Sequence, residues 1–204
     1  MMENLKDTYK TLSKPSEEIL FKDKNSKFYG YAYHVASEQE VKLHLERLKK
    51  QHFAARHWCY AYQLGAIKTR YRTNDDGEPN NSAGMPIYGQ IKSFDLTNIL
   101  VVVVRYFGGV KLGVGGLINA YKTSAQMALE ASKIVEKTID VYFELKFDYK
   151  HMSRIMRTIK GHQAEIISQQ LQMDCLIRVS IRKSKASHFF NEVSSIHGVT
   201  IKSY

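Results

Sequence analysis

The stretch Val101-Val102-Val103-Val104-Arg105-Tyr106-Phe107-Gly108-Gly109-Val110-Lys111-Leu112-Gly113-Val114-Gly115-Gly116 organises the first half of the chain. Its leading run, taken from Asn98 to Tyr106, is apolar on both faces, which predicts a strand covered from two sides. Five glycines follow between Gly108 and Gly116. Leu117, Tyr121, Ala125 and Ala128 then recur at helical spacing and predict a long amphipathic helix. The chain thus passes from buried strand through a glycine turn into a helix.

Such a junction suits an anion. Glycine permits positive φ and close backbone approach to a ligand. The first N–H groups of a helix lack intrahelical partners and lie at the positive end of its dipole. Arg105 and Lys111 add charge where a phosphate would sit. Arg105, Gly108, Gly109, Lys111, Gly113, Gly115 and Gly116 therefore form a candidate anion or nucleic-acid site, to which Arg56 and His57 are added. The run fits neither G-x-G-x-x-G nor G-x-x-x-x-G-K-[ST], which excludes dinucleotide and Walker sites on spacing. The competing reading is that the glycines serve only a tight turn and close helix packing.

Outward from this junction, Lys27 to Val35 and His57 to Leu64 read as strands. Ser37-Glu38-Gln39-Glu40 is a capping box opening a helix with Val41, Leu45 and Leu48 on one face. Thr73 to Pro86 is turn chemistry, and Ile87 to Phe94 predicts a short helix. Within the turn, Asp75, Asp76 and Glu78 make a possible acidic functional loop that could hold Mg²⁺ or supply a base. It does not match the calcium-loop template, a local turn competes with it, and no metal or cofactor is assigned. His57 and Cys59 share a strand face, which would permit thiol–imidazole chemistry. A buried structural thiol is the competing reading, and no catalytic residue is assigned.

Residues 137–204 read as β-α-β-β-α-β, the ferredoxin-like order. Val141, Phe143, Leu145, Ile177, Val179 and Ile181 form the inward set of its strands. Tyr142, Lys146, Arg178, Arg182, Lys202 and Tyr204 form the outward set. Aromatic and basic groups on one open sheet face suit RNA, whose bases stack and whose phosphates seek cations. Lys150, Arg154 and Arg157 make a second basic stripe along a helix.

The 204 residues carry a net charge of +10, which points to a polyanionic partner. Residues 1–136 and 137–204 each hold +5, and this division marks two domains. The longest apolar run, Ile99 to Val104, is far shorter than a membrane span requires. The opening residues from Met1 to Asp7 contain no apolar leader core. Cys59 and Cys175 are too far apart in sequence to suggest a disulfide framework or zinc ribbon. A cytoplasmic monomer is expected.

Four motifs together resemble the bacterial YigZ / IMPACT family. They are Arg56-His57-Trp58-Cys59-Tyr60, Asn74-Asp75-Asp76-Gly77-Glu78-Pro79, Ser82-Ala83-Gly84-Met85-Pro86, and Val103 to Gly109 with Leu112-Gly113 and Gly115-Gly116-Leu117. The resemblance implies an α+β protein of two domains. The first, 1–136, would fold like domain IV of elongation factor G, a ribosomal-protein-type βαβ sheet with helices on one face. The second, 137–204, would be ferredoxin-like, similar to domain V of that factor. Eukaryotic relatives act in translational control, so RNA, the ribosome or translation-control proteins are the implied partners. No catalytic set transfers from the family. An enzyme acting on a phosphorylated small molecule, with the glycine turn as anion site, and a protein–protein regulator in translation control are the alternative functions. Removing Arg105 and Lys111 together is expected to weaken RNA or ribosome binding and leave the fold intact.

Overall fold

In the computed structural model, which describes residues 7–204, the chain divides into two units. The first spans residues 9–137, and the second spans 138–204 together with Asp7 and Thr8. Residues 1–6, which hold most of the stretch read as lacking a leader, lie outside the described residues.

The first unit contains β1 (Thr8–Leu12), β2 (Ile19–Asp23), β3 (Ser26–His34), α1 (Glu38–Gln51), β4 (His57–Leu64) and β5 (Arg70–Asn74). It continues with α2 (Gly84–Ser93), β6 (Ile99–Tyr106), α3 (Gly113–Glu130) and β7 (Ile134–Thr138). Five strands form an antiparallel sheet in the order β2-β3-β6-β4-β5, while β1 and β7 pair separately. β3 and β4 run parallel to each other on either side of β6, so β3-α1-β4 is a split crossover with a later strand inserted into it.

β6 explains the layering. Val101 and Val103 face one core with Phe28, Ala32, Cys59 and Ala61, closed by α2 and α3. Leu100, Val102 and Val104 face a second core with Tyr31, Tyr33, Tyr62 and Leu64, closed by Val41 and Leu48 of α1. Helices therefore cover both faces of this sheet, where the resemblance implies one. The physical reason lies in β6: a strand apolar on both sides leaves half its surface wet unless a helix covers each face.

Gly30 on β3 allows α3 to pack closely, since a Cβ there would lie 2.7 Å from the Ser124 carbonyl oxygen. The helix α1 opens as its sequence dictates: the Ser37 hydroxyl accepts the Glu40 N–H at 3.2 Å. The Glu40 carboxylate reaches back one residue further than a simple capping box, to the Ala36 N–H at 3.0 Å.

The second unit runs β8 (Asp140–Asp148), α4 (Met152–Gly161), β9 (Glu165–Gln170), β10 (Asp174–Arg182), α5 (Lys183–Ser194) and β11 (Val199–Ser203). Its sheet order, β11-β8-β10-β9, is the ferredoxin-like one. Ile155 and Ile159 of α4 and Phe189 and Val193 of α5 pack on Phe143, Leu145, Ile177 and Val179. Both helices thus lie on one face, and the other face of the sheet is left to residues of even number on β8 and β10. Among the described residues no helix is long and apolar enough to cross a membrane.

Candidate functional site

Arg105 is the second-to-last residue of β6, in register with Phe28 on one neighbour and His57 on the other. All three side chains share a sheet face. The guanidinium lies 5.5 Å from the Phe28 ring and 5.6 Å from the Phe107 ring. Its Nη1 donates to Glu78 Oε1 at 2.6 Å, and the Tyr121 hydroxyl donates to the same oxygen at 2.8 Å. Arg105 is 5% exposed, Glu78 9% and Tyr121 fully buried. The ion pair is thus buried, with the Arg105 guanidinium near two aromatic rings. One donor is left over: Arg105 Nε is buried and has no hydrogen-bond partner.

His57 completes the group. Its Nδ1 lies 2.8 Å from the Asp76 carbonyl oxygen, which can only accept, so Nδ1 carries a proton and Nε2 faces Glu78 at 4.0 Å. Arg56 is exposed and meets the cluster only through its backbone N–H, which donates to the Arg105 carbonyl.

The glycine turn separates into two kinds of position. Gly108 is a packing glycine, for a Cβ there would fall 2.1 Å from the Asn25 carbonyl carbon. Gly109 and Gly113 have φ of +87° and +73°, in the left-handed region that favours glycine. A Cβ at Gly109, Gly113 or Gly115 would meet nothing within 4 Å, so these backbones border open space. Gly116 is closed on one side by Leu112. The start of α3 has neither a side-chain cap nor an acidic residue in its first turn. A cavity of about 330 Å³ opens there, lined by Glu78, Arg105, Phe107, Lys111, Gly113 and Val114 among others.

The acidic loop is occupied by its own backbone. Asp75 Oδ1 accepts the Ala83 and Gly84 N–H groups at 3.0 and 2.8 Å, and its Oδ2 accepts the Asn81 N–H. Asp75 thus caps α2 from outside the helix. Asp76 Oδ2 accepts the Trp58 N–H at 2.7 Å, which stitches the loop to β4. Glu78 is committed to Arg105. Among the described residues no group of three or more His, Cys, Asp or Glu is placed to hold a metal ion. The loop carboxylates thus bond the loop's own backbone, β4 and Arg105. Cys59 is equally committed: its buried thiol donates to the Asp75 carbonyl at 3.0 Å, and burial pushes its pKa far up. That raises the cost of forming a thiolate at Cys59.

On the second unit the outward set stands as the alternation predicts, with Tyr142 43% and Tyr204 63% exposed. Tyr142 and Tyr204 rings lie 6.0 Å apart, and the Arg178 guanidinium is 5.7 Å from the Tyr204 ring. Two of the four cations are not free, however. Arg178 pairs with Glu144 across the strands at 2.9 Å, and Arg182 holds Asp7 through two hydrogen bonds. Lys146 and Lys202 remain exposed on the same face.

Phe28, Phe107 and Tyr121 complete the Arg105 site and were not among the residues singled out from sequence. Tyr121 carried only the signal of an apolar helix position, although a tyrosine among alanines on a buried face needs a hydroxyl partner.

An antiparallel sheet with a split crossover, followed by a ferredoxin-like unit, defines a two-unit α+β protein whose conspicuous chemistry is a buried Arg–Glu pair beside a bare helix N-terminus. The family model described as Impact N-terminal domain matches residues 24–129. The IMPACT family member YvyE of Bacillus subtilis is 35% identical, covering 76% of this chain and 71% of that protein. The IMPACT family member YigZ of Escherichia coli is 32% identical, covering 81% and 82%. A crystal structure described as that of a hypothetical protein superposes with a TM-score of 0.75 at 27% identity and covers 98% of each chain. The chain belongs to the IMPACT family.

Proposed function

We propose that this chain is a cytoplasmic RNA- or ribosome-binding protein linked to regulation of translation, with the outer sheet face of the second unit as its nucleic-acid surface. The observation that supports this best is the grouping of Tyr142, Tyr204 and Arg178 beside Lys146 and Lys202 on three adjacent strands that no helix of that unit covers. Tyrosine rings and a guanidinium plane accept stacked bases, and the two lysines are placed to neutralise phosphates. The net charge of +10 would add non-specific attraction to any polyanion. The link to translation comes from the family resemblance.

The test is binding of single-stranded RNA to the full chain across a salt titration. Each lysine that contacts a phosphate should reduce the log–log salt slope by about 0.7 when changed to alanine. Tyr142→Ala should weaken binding by about 1–3 kcal/mol if a base stacks there. A wild-type affinity independent of salt, or one unmoved by Lys146→Ala with Lys202→Ala, would overturn this assignment.

A further inference from the structure

We propose that the cavity at the start of α3, walled by Arg105, Lys111 and Glu78, is a binding site for a phosphate monoester, specifically the phosphate end of a ribonucleotide. This site lies in the first unit and does not depend on the RNA surface proposed for the second.

Three independent features converge on it. The first turn of α3, Gly113-Val114-Gly115-Gly116, offers N–H groups with no side-chain cap and no acidic residue to satisfy them. Gly113 lines the cavity, and at Gly113 and Gly115 no atom lies within 4 Å of where a Cβ would project. The second feature is Arg105. Its side chain is over nine-tenths buried, it lines the cavity, and its Nε has no partner. Buried donors without partners are rare in folded proteins, and this one belongs to a cationic side chain in the cavity wall. The third is Lys111, an exposed cation on the same wall.

The shape of the cavity narrows the ligand. At about 330 Å³ it exceeds what a phosphate alone would fill and falls within the range of small-molecule sites. Glu78 also lines it, which would disfavour a bare anion placed anywhere in the space. Both side-chain hydrogen bonds of Glu78 fall on Oε1, which leaves Oε2 as the acceptor for a ligand hydroxyl. Phe107 is 47% exposed at the rim, with Arg105 against one side of its ring. A ligand with phosphate at the α3 amides, a hydroxyl toward Glu78 and a flat ring against Phe107 matches all three walls. A ribonucleoside monophosphate carries those groups, either free or as the 5′-phosphorylated end of an RNA.

The experiment is titration calorimetry on the full chain with adenosine 5′-monophosphate, adenosine, inorganic phosphate, and one short oligoribonucleotide bearing either a 5′-phosphate or a 5′-hydroxyl. Saturable binding of the monophosphate with much weaker binding of adenosine supports a free-nucleotide site. A preference confined to the 5′-phosphorylated oligonucleotide supports an RNA-end site. Gly115→Asp supplies the control: its backbone is unstrained, and a carboxylate in the first helical turn favours the helix while repelling the ligand. That variant should melt no lower than wild type and bind about tenfold or more weakly, as should Lys111→Ala. The proposal is overturned if no phosphate ligand binds at millimolar concentration, if adenosine binds as well as its monophosphate, or if Gly115→Asp leaves affinity unchanged. Lys146→Ala with Lys202→Ala should leave monophosphate affinity intact, so failure of one site is distinguishable from failure of the other.

Discussion

Arg105 and Glu78 meet at 2.6 Å with both side chains more than nine-tenths buried, and 27 residues separate them in sequence. A buried pair of this kind is costly to split, because the surviving partner keeps its charge without compensation. Arg105→Ala is therefore not a clean probe of binding, contrary to what the sequence alone suggests. It should destabilise the first unit by about 3–5 kcal/mol, and Glu78→Ala should do likewise. Urea unfolding midpoints for the two single variants and the double variant check this. The double variant should be less damaged than the sum of the singles, since removing both groups leaves no orphaned charge.

The two glycine classes should separate in a melting experiment. Gly108→Ala forces a methyl group onto the Asn25 backbone and should cost about 1–3 kcal/mol. Gly115→Ala enters open space within a helix and should raise stability by about 0.4–1 kcal/mol. Equal melting temperatures for the two variants would show that the turn is not packed as described.

Asp7 should give the second unit an acid-sensitive component. The Arg182 guanidinium, then Ser184, hydrogen-bonds its carboxyl and holds the pKa at about 2, against about 3.9 in an unfolded chain. A carboxyl more acidic in the folded state stabilises above the unfolded pKa, and that contribution fades as pH falls toward 2. Wild type should therefore be more stable than Asp7→Asn near neutral pH. The gap should close over the range from about pH 4 to pH 2, as followed by thermal unfolding at each pH. A gap constant with pH would remove the pair as its cause.

Cys59 should resist alkylation while the first unit is folded. Its thiol is buried, donates to the Asp75 carbonyl and is pushed to a high pKa by burial, so the thiolate that reacts is scarce. Labelling with iodoacetamide, read by mass spectrometry, should be slow in buffer and fast in urea. Rapid labelling of the native protein would mean that the wall of loop 75–83 opens without unfolding.

Long, patterned segments were the readable part of this fold. β4 and β6 could be placed within a residue because β-branched and aromatic runs leave no other comfortable conformation. The ferredoxin-like unit followed from clean alternation and one helical period per helix. The strands that escaped, β1, β2, β5 and β7, are five residues each, and β5 presents Arg70, Tyr71 and Arg72 to solvent. Edge strands of that kind carry little apolar signal.

α2 begins within a segment that reads as turn, because its cap is supplied by Asp75, eight and nine residues before the amides it accepts. A local capping signature cannot show a remote cap. The candidate site was legible as a set of residue types but not as an arrangement. Lys111, Gly113, Arg105 and Glu78 border the cavity, and Arg105 and the loop carboxylates are also each other's and the backbone's partners. Pairings across 27 or more residues depend on register, which composition does not reveal.

The insertion of β6 between β3 and β4 has a consequence for how the chain is made. Gly30 and Cys59 both pair with Val103, so β3 and β4 each lack one of their two neighbours until the ribosome has added the run ending at Tyr106. Until then the aromatic strands 26–34 and 57–64 wait with unpaired edges, exposed to any chaperone or to one another. The five-stranded sheet therefore cannot be completed progressively from its N-terminus. Its folding is gated by the arrival of a single hydrophobic strand, and refolding from denaturant should share that long-range, slow closure.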